Sequence, residues 1–166
     1  TVDWGTALSP VYKAHRLGME IHVWVDETRP RNQGSNLTAY ELLKEGIPNT
    51  LIVDSAGGYL MQKGLVDIVL VGADRINLNG DVCNKIGTYL KALAANDNGI
   101  PFYVAAPSST FEQSNLEKNS QIPIEIRSPL EVTYLQGKSV FSQVSNLCKM
   151  QIVPDGVKAF NPAFDI

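Results

Sequence analysis

The residues best suited to chemistry lie in the segment Gly72–Asp81, which reads GADRINLNGD. It places two carboxylates, Asp74 and Asp81, and the guanidinium of Arg75 in a loop rich in turn-forming residues. A carboxyl in such a loop can act as a general acid or base when it is partly removed from water. A lone loop carboxylate is more often a turn or cap residue, so Asp74 is a candidate with that alternative beside it.

Asn84 and Lys85 follow this loop at the predicted start of a helix, in the stretch NKIGT. The exposed N–H groups of a helix amino terminus, the helix dipole and a lysine ammonium together attract a phosphate. The two residues therefore predict a phosphate cradle. The alternative is that Asn84 only caps the helix and Lys85 is a solvated side chain.

Other reactive residue types give weaker signals. Cys83 adjoins the predicted cradle, but no histidine lies near it in sequence, and a small buried residue is the better interpretation. His15 and His22 fall on a helix and in a strand, where core or surface roles outweigh metal ligation. The chain has no GxGxxG fingerprint and no P-loop. Gly57-Gly58 could open an anion site, but a tight strand-to-helix turn is the better interpretation.

Strands alternating with helices position these residues. Short apolar runs predict strands at residues 21–25, 50–53, 66–71 and 102–106. Apolar periodicity predicts helices at 37–45, 56–63 and about 84–96. A further helix occupies the start of the chain; it ends near Gly18, or alternatively begins only at Pro10 behind a Ser9 cap. This alternation is typical of βαβ units, so the sequence predicts an α/β fold with a Rossmann-like parallel sheet flanked by helices.

The polar residues come directly after the predicted strands, so they concentrate at one edge of that sheet. Ligands of open parallel sheets bind at this edge, beyond the carboxyl ends of the strands. After Pro107 the pattern ends; residues 122–126 predict a short strand and the rest reads as irregular. The residues that follow the four strands are Asp26, Glu27, Thr28, Arg29, Arg31, Gln33, Asp54, Ser55, Gly72, Ala73, Asp74, Arg75, Ser108 and Ser109.

Length and composition exclude several classes of protein. The 166 residues suit one domain, which we expect to span 1–166. The net charge of −3 argues against a strongly basic nucleic-acid surface, and no apolar run approaches the roughly 18 residues that span a bilayer. Two cysteines are too few for a disulfide framework, so we expect a cytoplasmic protein with no nucleic-acid or membrane partner.

Several ordered motifs resemble the methylthioribose-1-phosphate isomerase family, which also includes ribose-1,5-bisphosphate isomerase and the regulatory subunits of eukaryotic initiation factor two B. The resemblance runs from about Gly5 to Asp165, and by it the chain is similar to the Rossmann-like carboxyl-terminal domain of the family. The motifs are VDETRPRNQG at 25–34, Asp54-Ser55, GADRI at 72–76, NGDVCNKIGTY at 79–89, IPFYVAAP at 100–107 and NPAFD at 161–165.

The resemblance implies conversion of 5-methylthioribose 1-phosphate to 5-methylthioribulose 1-phosphate in methionine salvage. It implies Asp74 as the catalytic proton donor and Gln33, Asn84 and Lys85 as substrate-binding residues, with no metal or organic cofactor. The regulatory subunits typically lack the aspartate of the GADRI loop, so Asp74 favours the isomerases. The alternatives are a non-catalytic regulatory or binding protein like those subunits, and a ribose-1,5-bisphosphate isomerase.

The chain departs from the family in three places. The family has a catalytic cysteine in a T-x-C-N-x-G motif upstream of the stretch matched here by Gly5–Leu8, and a smaller amino-terminal domain whose arginines grip phosphate. Neither is present in this sequence, so we expect it to be incomplete as a catalyst on its own. The resemblance implies a homodimer or pairing with a chain that supplies the amino-terminal half. Residues 139–151 look like an insertion.

Overall fold

The computed structural model describes residues 4–112, 122–139 and 147–166, and combines helices with small sheets. Its helices are α1 Ser9–Arg16, α2 Ala39–Lys44, α3 Gly57–Gln62, α4 Thr88–Asp97 and α5 Leu130–Thr133. A π-helical turn, Gly34–Thr38, leads directly into α2. Its strands are β1 Val23–Asp26, β2 Asn49–Ile52, β3 Val69–Val71, β4 Arg75–Ile76, β5 Val82–Lys85, β6 Phe102–Val104, β7 Tyr134–Lys138, β8 Leu147–Gln151 and β9 Phe164–Asp165.

The four strands predicted from apolar runs are present and pair in parallel; three are shorter than predicted, and β2 keeps its length but begins one residue earlier. β1 lies beside β2, with Val25 opposite Leu51, and β3 lies beside β6, with Leu70 opposite Tyr103. The other described sheets are antiparallel: β5 lies between β4 and β9, and β7 pairs with β8. The combination of helices and strands is therefore confirmed, and the described strands form small sheets, two of them parallel and the others antiparallel.

Two predictions about element boundaries are wrong. The helix predicted from about residue 84 begins at Thr88, because Asn84 and Lys85 extend strand β5 and pair with β9. Gly87, at φ +100°, makes the turn between strand and helix. The region after Pro107 is also more regular than expected, since it contains α5, β7, β8 and β9.

Parts of that region lie outside the described residues. Between Pro107 and the strand predicted at 122–126, residues 113–121 are not described. Of the predicted insertion at 139–151, residues 140–146 are not described, and residues 147–151 form β8. The strand predicted at 122–126 is reduced to a single antiparallel bridge between Ile126 and Pro162.

A hydrophobic core fixes the end of β1 from which the Gln33 loop departs. Val25 of β1 packs with Tyr12 of α1, Leu42 of α2 and Ile47, all of them buried. Burying each such side chain contributes about 1.5–3 kcal/mol. Gly46, at φ +71°, ends α2 and turns the chain so that Ile47 enters this core.

Helix α4 connects the two parts of the molecule that carry the candidate residues. It packs against α3, against the parallel strands β3 and β6, and against β9. A helix of this length fixes its neighbours relative to one another because its backbone hydrogen bonds are internal.

Within the described ranges, no helix has the length and apolar character needed to cross a bilayer.

Candidate functional site

Gln33 lies at the end of a loop that the carboxylate of Asp54 organises. The backbone N–H groups of Thr28 and Arg29 donate to Oδ1 and Oδ2 of Asp54, each at 2.7 Å. Hydrogen bonds to an ionised acceptor are about twice as strong as neutral ones. Thr28 and Asn32 adopt positive φ values of 62° and 56°, and the Arg29–Pro30 peptide is cis. The loop conformation therefore depends on a side chain from the end of the neighbouring strand.

The residue after Gln33 has to be glycine. A Cβ atom on Gly34 would lie 1.6 Å from the backbone oxygen of Asp26. The close approach brings the loop back against the end of β1, and it fixes where Gln33 enters the π-helical turn. The Oε1 atom of Gln33 is buried and accepts no hydrogen bond from the described residues. The Gln33 amide therefore holds an acceptor oxygen that no described residue satisfies and that is closed to solvent.

The opposite side of the candidate site is β5, which carries Asn84 and Lys85. Strand pairing puts Asn84 opposite Asp165 and Lys85 opposite Phe164. The Nδ2 group of Asn84 donates to Oγ1 of Thr88 at 2.9 Å, and that hydroxyl donates to the backbone oxygen of Lys85 at 2.7 Å. These bonds fix the two residues at the junction between strand and helix.

The amino terminus of α4 does not form the phosphate cradle predicted from the sequence. The carboxylate of Asp165 accepts hydrogen bonds from the N–H groups of Gly87 at 2.7 Å and Tyr89 at 3.0 Å. An anion from the chain itself thus occupies the position at which the helix dipole would attract a ligand. Any anion binding near Asn84 and Lys85 must rest on their side chains.

Lys85 lies among cations and aromatic surface. Its Nζ is 4.9 Å from the centre of the Phe164 ring, and Cζ of Arg127 is 5.4 Å from the same centre. Burial lowers the pKa of Lys85 from its ordinary value and the Arg127 guanidinium lowers it further, whereas Asp74 raises it. Two cations about one ring favour an anionic ligand, because an anion relieves their mutual repulsion.

Arg127 and the Gln33 loop are both tied to carboxylates beside Lys85. Arg127 forms an ion pair with Glu125 at 3.0 Å, and Arg31 of the loop forms one with Glu131 at 2.8 Å. Glu131 also accepts a hydrogen bond from Asn161. Glu131 therefore links Arg31 of the Gln33 loop to Asn161, which lies in the same NPAFD motif as Phe164.

Asp74 lies at the edge of a cavity of about 190 Å³. Its backbone N–H donates to the backbone oxygen of Cys83 at 2.9 Å, and its side chain is exposed. The cavity contains both carboxylate and apolar surface, and the Phe164 ring that lines it is the ring beneath Lys85. The lining residues are Asp74, Arg75, Cys83, Pro123, Glu125 and Phe164.

Cys83 is the small buried residue that its sequence context indicated. Its side chain is 2% exposed, and burial raises the pKa of its thiol, with the charge of Asp74 adding to the rise. A thiol that is hard to ionise is a poor nucleophile and a poor base. Cys83 therefore contributes shape rather than reactivity to the cavity wall.

The structure brings Asp74 and Lys85 to one place and supports Gln33 on a neighbouring loop. The residues that sequence analysis did not assign to the site are Arg127, Glu131 and Phe164. Phe164 belongs to the NPAFD motif, but its apolar type gives no sign of a role beside a lysine. Among the described residues, no three His, Cys, Asp or Glu side chains are grouped to hold a metal ion.

Comparison with known proteins places the whole chain in one family. The model of the initiation factor 2 subunit family matches residues 2–166. The chain is 58% identical over all of its 166 residues to a methylthioribose-1-phosphate isomerase of Methylocella silvestris, and 58% identical to that of Acidiphilium cryptum. It covers 44% of each of these proteins, so it spans less than half the length of the curated relatives it matches.

Solved structures of both functional kinds resemble the chain. The delta subunit of translation initiation factor eIF-2B from A. fulgidus matches with a TM-score of 0.81 and 49% identity over 99% of this chain and 44% of that one. A 5-methylthioribose 1-phosphate isomerase from Pyrococcus horikoshii OT3 matches with a TM-score of 0.80 and 42% identity, over 97% of this chain and 41% of that one.

Proposed function

This chain belongs to the initiation factor 2 subunit family, and from that premise we propose that it is the acid-donating and substrate-binding part of a methylthioribose-1-phosphate isomerase. The observation that carries the proposal is that Asp74 and Phe164 line one cavity, while the Nζ atom of Lys85 lies 4.9 Å from the centre of the same Phe164 ring. A carboxyl beside a partly buried ammonium is the combination that a sugar phosphate requires, because the ammonium attracts the phosphate and the carboxyl supplies a proton.

Asp74 acts on the ring oxygen of 5-methylthioribose 1-phosphate. The phosphate on the anomeric oxygen prevents the simple ring opening of a free sugar, so a proton delivered to the ring oxygen assists cleavage of the C1–O bond. An exposed carboxyl at the edge of a cavity is accessible to such a substrate. A positioned acid or base of this kind contributes about 10²–10⁴-fold to the rate.

Lys85, Asn84 and Gln33 hold the substrate. Lys85 supplies the cation for the phosphate, and the amides of Asn84 and Gln33 match sugar hydroxyls, which both donate and accept hydrogen bonds. Movement of hydrogen from C2 to C1 needs a second group. The buried Cys83 thiol, with its raised pKa, is unsuited to that role. Turnover then requires a second catalytic group from outside these 166 residues, supplied either by the same protein or by a partner chain.

The proposal extends to the fold. Two parallel pairs with helices packed on them are the expected parts of one Rossmann-like domain over residues 1–166, in which both pairs belong to a single sheet. The sites then follow the rule for such sheets, because Gln33 comes after β1 and Asp74 after β3.

A chimera tests the function directly. This chain replaces the matching 166 residues of the Methylocella silvestris isomerase, and formation of the ketose phosphate from 5-methylthioribose 1-phosphate is followed by NMR. We expect the chimera to turn over and the isolated chain not to do so at a comparable rate. A folded chimera with no activity, judged by circular dichroism and gel filtration, contradicts the proposal, as does substantial turnover by the isolated chain.

The second candidate is a non-catalytic regulatory subunit. It is favoured by the 49% identity to the eIF-2B delta subunit structure, against 42% to the isomerase structure. The two proposals separate on Asp74, which a purely regulatory protein does not need. Replacing 5-methylthioribose 1-phosphate with ribose 1,5-bisphosphate in the same assay distinguishes the related isomerase.

A further inference from the structure

Three charged side chains beneath the Gln33 loop have no part in the proposed chemistry. Asp54 accepts the N–H groups of Thr28 and Arg29, and Lys91 of α4 forms an ion pair with Asp26. The Lys91 Nζ to Asp26 Oδ2 distance is 3.1 Å, and their side chains are 18% and 26% exposed. Charges this far removed from water are costly unless they are paired, so their arrangement calls for a physical reason.

Asp54 holds the loop by two hydrogen bonds, one to each oxygen of its carboxylate, and only a carboxylate offers both acceptors. Both of its oxygens face backbone N–H groups at 2.7 Å, and the loop between Thr28 and Gly34 then returns to the end of β1. Because Gly34 lies directly against the backbone oxygen of Asp26, a shift of the loop at Thr28 is transmitted to Gln33. The position of the Gln33 amide is thus a function of Asp54.

Lys91 joins this loop to the other side of the site. Its ammonium contacts Asp26 at the end of β1 and donates to the backbone oxygen of Asp54 at 3.3 Å. Its helix, α4, begins where Asp165 binds Gly87 and Tyr89, directly after the Asn84–Lys85 strand. One helix therefore contacts the residues that support the Gln33 loop and, through Thr88, the Asn84–Lys85 strand.

We propose that Asp54 and Lys91 are positioning residues for sugar-phosphate binding: Asp54 sets the loop that carries Gln33, and Lys91 sets the distance between that loop and the Asn84–Lys85 strand. The inference rests on the proposed function for its activity readout. Neither residue touches the substrate. A misplacement of about 1 Å in a positioning group costs about 100-fold in rate, which is the scale of the effects that follow.

The substitutions that test the proposal keep shape and remove one interaction. In Asp54→Asn the amide offers one acceptor oxygen and one NH₂ group, so one of the two backbone N–H groups loses its partner. In Lys91→Met the stem remains and the ammonium is lost, and Lys91→Arg restores a cation. The matched controls are Asp67→Asn and Lys13→Met, because both residues are exposed.

The activity experiment is a double-variant cycle in the chimera. We expect Asp54→Asn to lower kcat/KM about 10- to 100-fold, mainly through KM. If Asp54 acts through Gln33, the Asp54→Asn/Gln33→Ala double variant is no worse than Gln33→Ala alone, within about threefold. Effects that multiply in the double variant overturn the proposal. Lys91→Arg should recover most of the activity lost in Lys91→Met, and equal loss in both also overturns it.

A second readout does not depend on turnover. Hydrogen exchange by mass spectrometry over residues 27–36 should be about tenfold faster in Asp54→Asn and in Lys91→Met than in the parent and the two controls. Unchanged exchange contradicts the positioning role even if the proposed function is correct. If the parent chimera is folded and inactive, the proposed function fails, and the exchange result alone decides the inference.

Discussion

The two sides of the candidate site are built differently. On the Gln33 side, the loop is held by the Asp54 carboxylate, by the Lys91–Asp26 ion pair and by the tight packing of Gly34. On the Asp74 side, the residue is held through its backbone N–H, and its side chain is exposed at the edge of the cavity. The binding side is thus supported within this chain, whereas the acid side is open to whatever approaches it.

The buried charges of the candidate site lie on the Gln33 side. Burial raises the pKa of Asp26, Lys91 opposes that rise, and the nearby Asp54 adds to it. A buried carboxylate costs stability, so keeping one is explained by a use for the geometry that it enforces. No comparable support surrounds Asp74 in the part of the chain that the structure describes, which agrees with a group that works only once a substrate covers it.

Asp74→Asn gives the largest expected effect, because it removes the transferable proton and leaves the shape unchanged. In the chimera we expect kcat to fall about 1,000-fold, with KM within about threefold of the parent. NMR assay of ketose formation and equilibrium binding of substrate separate the two quantities. A variant that retains full turnover shows that Asp74 is not the acid and favours the regulatory function.

The sequence predicts the features of the two sides that depend on neighbouring residues. It does not predict those that depend on contacts between residues far apart along the chain. The apolar runs that form β1, β2, β3 and β6 are local, and so is the placement of Asp74 in the loop after β3. The two contacts of Asp54 join residues that are 25 and 26 positions apart along the chain, and no local pattern in the sequence predicts them. The sequence marks Asp54 as a polar residue after a strand and as part of a family motif, but it does not indicate the contact with Thr28 and Arg29.

Asn84 and Lys85 show the same limit more strongly. Their strand conformation is imposed by pairing with β9, and Asp165, which occupies the amino terminus of α4, lies 78 residues from Gly87. The local sequence NKIGT begins like a helix, and tertiary pairing overrides that preference. The residue types of the site were therefore predictable from the sequence, but the physical device that holds them was not.

Gly34→Ala attacks the supported side at its tightest contact. A Cβ atom 1.6 Å from the Asp26 backbone oxygen cannot be accommodated without moving the loop, and we expect a loss of about 3 kcal/mol in the free energy of unfolding. Urea denaturation measures it. Gly58→Ala is the matched control, because its nearest contact would be an ordinary 3.7 Å from the Ala94 side chain. Equal stability of the two variants would remove the argument for a rigid Gln33 loop.

Lys85→Met tests the cation that β5 carries on the side of the site opposite the Gln33 loop. We expect kcat/KM to fall about 30-fold, because a charge-assisted contact of about 2 kcal/mol to the phosphate is lost. The salt dependence of substrate binding should weaken with it. Arg75→Met is the control, since Arg75 lines the cavity with an exposed side chain and makes a longer, 3.8 Å ion pair with Glu112. Similar losses in both variants would assign the phosphate to the cavity as a whole rather than to Lys85.

The pH dependence of the same lysine has a definite sign. Because burial and Arg127 lower the pKa of Lys85 below 10.5, substrate affinity should decrease as the pH rises through the lowered pKa. Stability changes in the opposite direction: between the folded and unfolded pKa values the unfolded chain binds the extra proton, so the free energy of unfolding rises with pH. Lys85→Met should flatten both changes. Parallel rather than opposite trends in the parent would contradict this assignment.

Cys83→Ala gives the smallest expected change in activity and separates shape from chemistry on the open side. The thiol is buried and its pKa is raised, so we expect kcat to stay within about twofold of the parent while the free energy of unfolding falls by about 1–2 kcal/mol. Loss of kcat with unchanged stability would make Cys83 a chemical participant. That outcome would also complete the acid side within this chain, because Asp74 and the thiol line the same cavity, and the contrast between a supported binding side and an open acid side would no longer hold.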